Sequence, residues 1–169
     1  MAELILINHA ERVHEADPDR DRQIDRHLPL TSTGETQAQE LGDRLRAAGI
    51  RPTLFLTSRN LHTKQTAEIV CRAVGGDPSV DVVEIDALTP FHPTDSFEHV
   101  CDQARTAGHD PSLHAVVAIV GHHPRLNQLF AQLTWRTVAG NRLDYAQHVR
   151  VTAGLFDGFR TGKGTGHWP

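Results

Sequence analysis

"HAVVAIVGHHPRLNQLF", residues 114 to 130, is the stretch from which the fold is read. Its first half, His114 to Val120, is a continuous run rich in β-branched residues, which suits a strand buried on both faces. Gly121 ends the run, and Pro124 then stands near the first position of a helix. Leu126, Leu129, Phe130 and Leu133 fall on one face of that helix. A doubly buried strand followed by a one-sided helix is the unit of an α/β sheet covered by helices.

The same alternation runs through the rest of the chain. Leu4 to Ile7 reads as a first strand, Thr53 to Thr57 after Pro52 as a second, Val80 to Ile85 as a third and Val149 to Phe156 as a last one. Ser32 with Glu35 has the form of a capping box, followed by Ala38, Leu41, Leu45 and Ala48 at helical spacing and by Gly49 as a stop. A second helix carries Ala67, Val70, Cys71 and Val74 and ends at Gly75-Gly76, and a third carries Phe97, Val100, Cys101 and Ala104. "ERVHEADPDRDRQIDRH", residues 11 to 27, is charged, holds Pro18 and has no apolar period, so it reads as a solvated loop or flap. The glycine-rich tail, residues 161 to 169, is expected to be irregular.

A chain of 169 residues is the length of one ordinary domain, and the whole of 1–169 is read as such, with no repeat or linker-like composition shift. Apolar residues make up 38% and charged residues 22%, the balance of a globular protein. The net charge of −4 argues against a nucleic-acid or anionic membrane surface, so any anionic ligand must be met locally. Cys71 and Cys101 fall on apolar helix faces, and two buried reduced thiols suit a cytoplasmic protein. No apolar run approaches a membrane span or a signal-peptide core.

Twelve histidines are too many to be ligands each, so position has to choose among them. In open α/β sheets the ligand crevice lies beyond the carboxyl ends of the strands. His9 follows the first strand directly, and His122 with His123 follow the strand ending at Val120. The second pair also opens a helix, where backbone N–H groups and the helix dipole favour an anion such as phosphate.

Four ordered segments, "LILINHAE", "LTSTGETQAQELGDRLRAAGI", "LTSRNLHTKQTAEIV" and "VVAIVGHHPRLNQL", resemble the landmarks of the histidine phosphatase superfamily, the phosphoglycerate mutase-like fold. The small size, the His-Ala-Glu form after the first strand, "DRHLPLT" and "LTP" most resemble its SixA-type phosphohistidine phosphatases. The resemblance implies three layers, with helices on both faces of a mostly parallel central sheet. It also implies that His9 takes a phosphoryl group which water then cleaves, and that His122 contacts the same group. A neutral imidazole is an adequate nucleophile near pH 7. The implied substrate is a phosphohistidine protein or a small phosphomonoester, with no cofactor.

One departure from the family pattern bears on activity. Where the resemblance implies Arg-His at the end of the first strand, this chain has Asn8-His9, and where it implies an arginine three residues before Gln-Thr-Ala, this chain has His62. Arginine is always charged and grips phosphate with paired hydrogen bonds, whereas Asn8 offers a neutral amide and His62 a part-time charge. Hydrogen bonds to charged groups contribute about 1.5–3 kcal/mol each. Arginines that stabilise phosphoryl transfer are worth about 10³–10⁵ in rate. Arg12, Arg59 and Arg125 lie near the landmarks, Arg59 being the best-placed substitute, while Lys64 has the wrong spacing to share a face with His62. The expected phosphate contacts are therefore Asn8, His62, Arg59 and His123.

Crowding of His9, His62, His122 and His123 raises the alternative of a metal site, but compact ligand spacings such as His-Glu-x-x-His are absent and no metal is expected. Glu84 and Asp86 are the nearest candidates for a general acid. Two readings remain open: a working phosphatase, and a pseudophosphatase that binds a phosphorylated ligand or a protein without turnover.

Overall fold

The computed structural model describes residues 3–90, 96–123, 125–134, 148–152, 155–156 and 158–159. Pro124 and the tail 161–169 lie outside the described residues. The sheet contains β1 (Glu3–Asn8), β2 (Leu54–Thr57), β3 (Val82–Glu84), β4 (Val116–Gly121) and β5 (His148–Thr152) in the order β3-β2-β4-β1-β5. The first four run parallel, and β5 joins the edge of β1 antiparallel. The last predicted strand is thus β5, and Leu155–Phe156 (β6) pairs instead with Gly158–Phe159 (β7) in a separate two-stranded ribbon.

Helices cover both faces: α2 (Ser32–Ala47) and α3 (Leu61–Val74) on one, α5 (Phe97–Thr106) and α6 (Arg125–Thr134) on the other. Alternation along the strands sorts the core. Leu4, Leu6, Val117 and Ile119 pack with Phe97, Val100 and Leu126, while Ile5, Ile7, Ala118 and Val120 pack with Leu41, Leu45 and Val70. Cys101 lies in the first cluster and Cys71 in the second, as free thiols whose pKa burial pushes up to about 12. Among the described residues no helix is long and apolar enough to cross a membrane.

Three local expectations need correction. The cap of α2 is Thr31, not Ser32: its hydroxyl accepts from Gly34 N–H (2.9 Å) and donates to the Glu11 carboxylate (2.7 Å), and that second contact ties the helix start to the first strand's exit. Val80 is helical, in α4 (Pro78–Asp81), because Asp77 caps a turn before the strand begins at Val82. Residues 11–27 are not a simple flap. Asp17 caps α1 (Pro18–Ile24), a 3-10 turn spans Asp25–His27, and Arg12 binds Asp21 (2.6 Å) and Asp25 (3.0 Å) across them. Charge rather than an apolar stripe organises this segment.

Candidate active site

Strands β2, β4 and β1 are neighbours, so their carboxyl ends place three loops side by side. Asn8 pairs with Gly121, and His9 N–H donates to Gly121 C=O (3.1 Å), which sets His9 beside His122. The third neighbour, β2, leads through Ser58 and Asn60 into α3, whose first turn carries His62. Thr66 Oγ1 accepts from Ala10 N–H (3.1 Å) and donates to His62 C=O (2.7 Å), while Gln65 Oε1 accepts from Leu30 N–H (2.8 Å). Thr66 thus fixes α3 against the exit of β1, and Gln65 fixes it against the approach to α2.

The result is a buried triad of imidazoles. His9, His62 and His122 are 9%, 0% and 6% exposed, with ring centroids 4.5 Å (His9–His62), 5.0 Å (His9–His122) and 5.1 Å (His62–His122) apart. Each ring is oriented by an outward bond. His9 Nδ1–H donates to Ala10 C=O (2.8 Å) and His62 Nδ1–H to Leu28 C=O (3.0 Å), which puts the lone pair of each on Nε2. For His122 the hydroxyls decide. Thr63 donates to Asn60 C=O (2.7 Å), so Ser58 donates to Thr63 (2.7 Å) and accepts from His122 Nε2–H (3.1 Å), leaving the lone pair on Nδ1. His62 Nε2 is buried with no hydrogen-bond partner among the described residues.

All three rings are held neutral. Desolvation, then repulsion from His62, brings His9 from 6.5 down to about 4; desolvation likewise brings His62 to about 4. His122 is pushed well below its ordinary value by desolvation and by the other two rings. Arg12 contributes to the lowering at each ring, and its own charge is met by Asp21 and Asp25. At pH 7 the pocket therefore offers lone pairs and no charged imidazole.

Residues 4–92 match the histidine phosphatase superfamily (branch 1). The chain belongs to the histidine phosphatase superfamily. A probable phosphoglycerate mutase of Salmonella arizonae, GpmB, is 38% identical over 81 residues, which span 48% of this chain and only 36% of that relative. Among solved structures, the protein histidine phosphatase SixA complexed with tungstate aligns over 98% of this chain and 94% of its own at a TM-score of 0.72 and 21% identity. The ecdysone phosphate phosphatase of Bombix mori, also with tungstate, aligns over 90% and 89% at a TM-score of 0.62 and 16% identity. At these identities the structural matches establish the shared fold.

Within this histidine phosphatase fold the other sequence candidates, Asn8 apart, have partners outside the imidazole triad. Arg59 is half exposed and faces Asp86 (3.5 Å), and His123 Nε2 contacts Asn127 Nδ2 (2.8 Å). Lys64, expected to be solvated, is partly exposed and ion-paired with Glu84 (2.6 Å). Both general-acid candidates thus carry a surface cation. Arg125 is buried and donates through Nε and Nη2 to Ala87 C=O (3.1 and 2.6 Å). Asn8 is buried at the end of β1 next to His9.

Sequence reasoning missed the polar frame of the site. Ser58 and Thr63 set the tautomer of His122, and Asn60 Nδ2 donates to Asp25 (2.6 Å), which joins the second loop to the Arg12 ion pairs. The signal for these residues was weak, because Ser, Thr and Asn before a helix read equally well as ordinary capping residues.

Proposed function

We propose that the protein is a phosphohydrolase that acts on phosphohistidine in a protein, or on a small phosphomonoester, through a phosphoryl-His9 intermediate. The observation that carries this reading is the apposition of two neutral, buried imidazoles, His9 and His122, at the ends of adjacent parallel strands. In the first step the Nε2 lone pair of His9 attacks phosphorus as the P–N or P–O bond to the leaving group breaks. Water then attacks the phosphoryl-imidazole and releases phosphate, with His122 and the N–H groups opening the next helix beside the phosphoryl oxygens. A phosphohistidine substrate suits the site better than an ester does, since a leaving imidazole needs less proton donation than an alkoxide, and Glu84 and Asp86 are both ion-paired at the surface. The SixA structure with bound tungstate supports the same substrate class by analogy.

A specific observation favours a second reading, the pseudophosphatase. Arg12, Arg59 and Arg125 are each committed to a carboxylate or a carbonyl, so the charge a phosphoryl group requires is not supplied by a counterpart of the two arginines the family resemblance implies. The assay that separates the readings uses purified protein on a phosphohistidine peptide and on an aryl phosphate. Turnover lost in His9→Ala supports the enzyme. No turnover by the natural sequence, with turnover gained in Asn8→Arg plus His62→Arg, supports a disarmed site.

A further inference from the structure

Three neutral imidazoles enclosed with ring centroids 4.5–5.1 Å apart form an unusual donor set. One ring nitrogen from each residue lies within 4.8 Å of the other two. His62 Nε2 is fully buried and has no partner among the described residues, a state that costs about 1–3 kcal/mol for a neutral polar group. Protonation is a poor remedy, because burial and the Arg12 charge oppose it. A cation that forms directional bonds to nitrogen would satisfy this lone pair together with those of its two neighbours.

We propose that His9, His62 and His122 form a three-histidine site for a divalent transition metal of the zinc type. Neutral imidazole selects zinc, copper or nickel over magnesium and calcium, which prefer oxygen ligands. Tetrahedral zinc with bonds of about 2.0–2.1 Å needs nitrogens about 3.3 Å apart, so each ring has to move inward by about 1 Å or less. The outer bonds are already those of metal ligands, since a ligating histidine ordinarily donates its other N–H to a carbonyl or a polar group, as these do to Ala10, Leu28 and Ser58. The nearby Arg12 charge is offset by Asp21 and Asp25. Three protein ligands leave a fourth position for water or an anion oxygen. The site has no compact signature in the chain because its ligands come from three separate elements.

The proposal does not rest on phosphatase activity, although a bound ion and a phosphoryl group would compete for the same His9 lone pair. Its test is a zinc titration of chelator-treated full-length protein against a chromogenic competitor, without any phosphorylated compound present. One equivalent is expected to bind. His62→Ala and His122→Ala should each weaken binding by at least about 100-fold, beyond what changes to outer contacts produce. His109→Ala, in the connection to the amino end of β4, should leave it unchanged. Absence of stoichiometric binding, or binding unaffected by both pocket substitutions, overturns the site. Should the alanine variants fail to fold, cobalt(II) added to the natural protein decides: strong visible bands of a four-coordinate nitrogen site support the proposal, and the weak spectrum of six-coordinate aqueous cobalt overturns it.

Discussion

His62 stands in the first turn of α3 with no charge to give at neutral pH, because desolvation holds its ring near 4. In a phosphate pocket that is a different object from an arginine: it accepts at Nε2 where a guanidinium would only donate. Asn8→Arg with His62→Arg is therefore expected to raise phosphatase turnover by about 10² or more, given the 10³–10⁵ that such arginines are worth elsewhere. Steady-state kinetics on a phosphohistidine peptide measures it, and a double variant no faster than the natural protein would mean that the two missing arginines do not limit the site. The sequence made His9 and His122 candidates by strand-end position and resemblance and His62 by resemblance alone, and the fold brings those three together. Arg59 was a candidate by its place before α3 and His123 by its place beside His122 at a strand end, and place in the chain does not say that Arg59 turns to Asp86 or that His123 turns to Asn127.

At the scale of elements, helix starts and helix contacts offer sharper tests. Thr31 caps α2 and also binds Glu11, so Thr31→Ala should cost about 1 kcal/mol or more, whereas Ser32→Ala should cost a few tenths at most. Urea unfolding of the two variants measures the difference, and equal losses would restore the cap to Ser32. Further along α2, a Cβ added at Gly42 would lie 2.4 Å from Ala73 Cβ and 3.3 Å from Val70 O, so α2 and α3 pack at a distance only glycine permits. Gly42→Ala should accordingly destabilise by about 1–3 kcal/mol despite the better helix propensity of alanine. Thermal unfolding that shows a gain instead would mean that the helices separate freely. Strands β1, β2 and β4 were readable because they are apolar on both faces, and helices α2, α3, α5 and α6 because each buries one apolar face. The helix α1 was not, because its seven residues are held by Asp17 and Arg12 through charge and capping, which leave no apolar period.

The molecule as a whole carries a buried set of titratable rings, and this makes its stability depend on pH. His9 and His62 have folded pKa values of about 4 against 6.5 unfolded, so between those limits the unfolded chain binds protons that the folded chain refuses. Stability is fully present above about pH 6.5 and falls as pH falls toward 4, by roughly 3 kcal/mol for each of the two rings. Urea midpoints at pH 7 and pH 5 should show most of that loss, and His62→Leu should flatten the slope. A midpoint that holds steady over this range would mean that the rings are not neutral in the folded state. The layered α/β architecture was legible as a whole, since two-faced strand burial and one-faced helices leave few alternatives.

The parallel pairing of β1 with β4 has a kinetic consequence. Leu4 lies opposite Val117 and Asn8 opposite Gly121, partners more than a hundred positions apart in the chain. Closing so long a segment is entropically slow compared with forming the intervening helices. In refolding, the proximity of His9 to His122 should therefore arrive late, after most helical signal has returned, so that a chain fresh from synthesis is well folded locally before its histidines first meet.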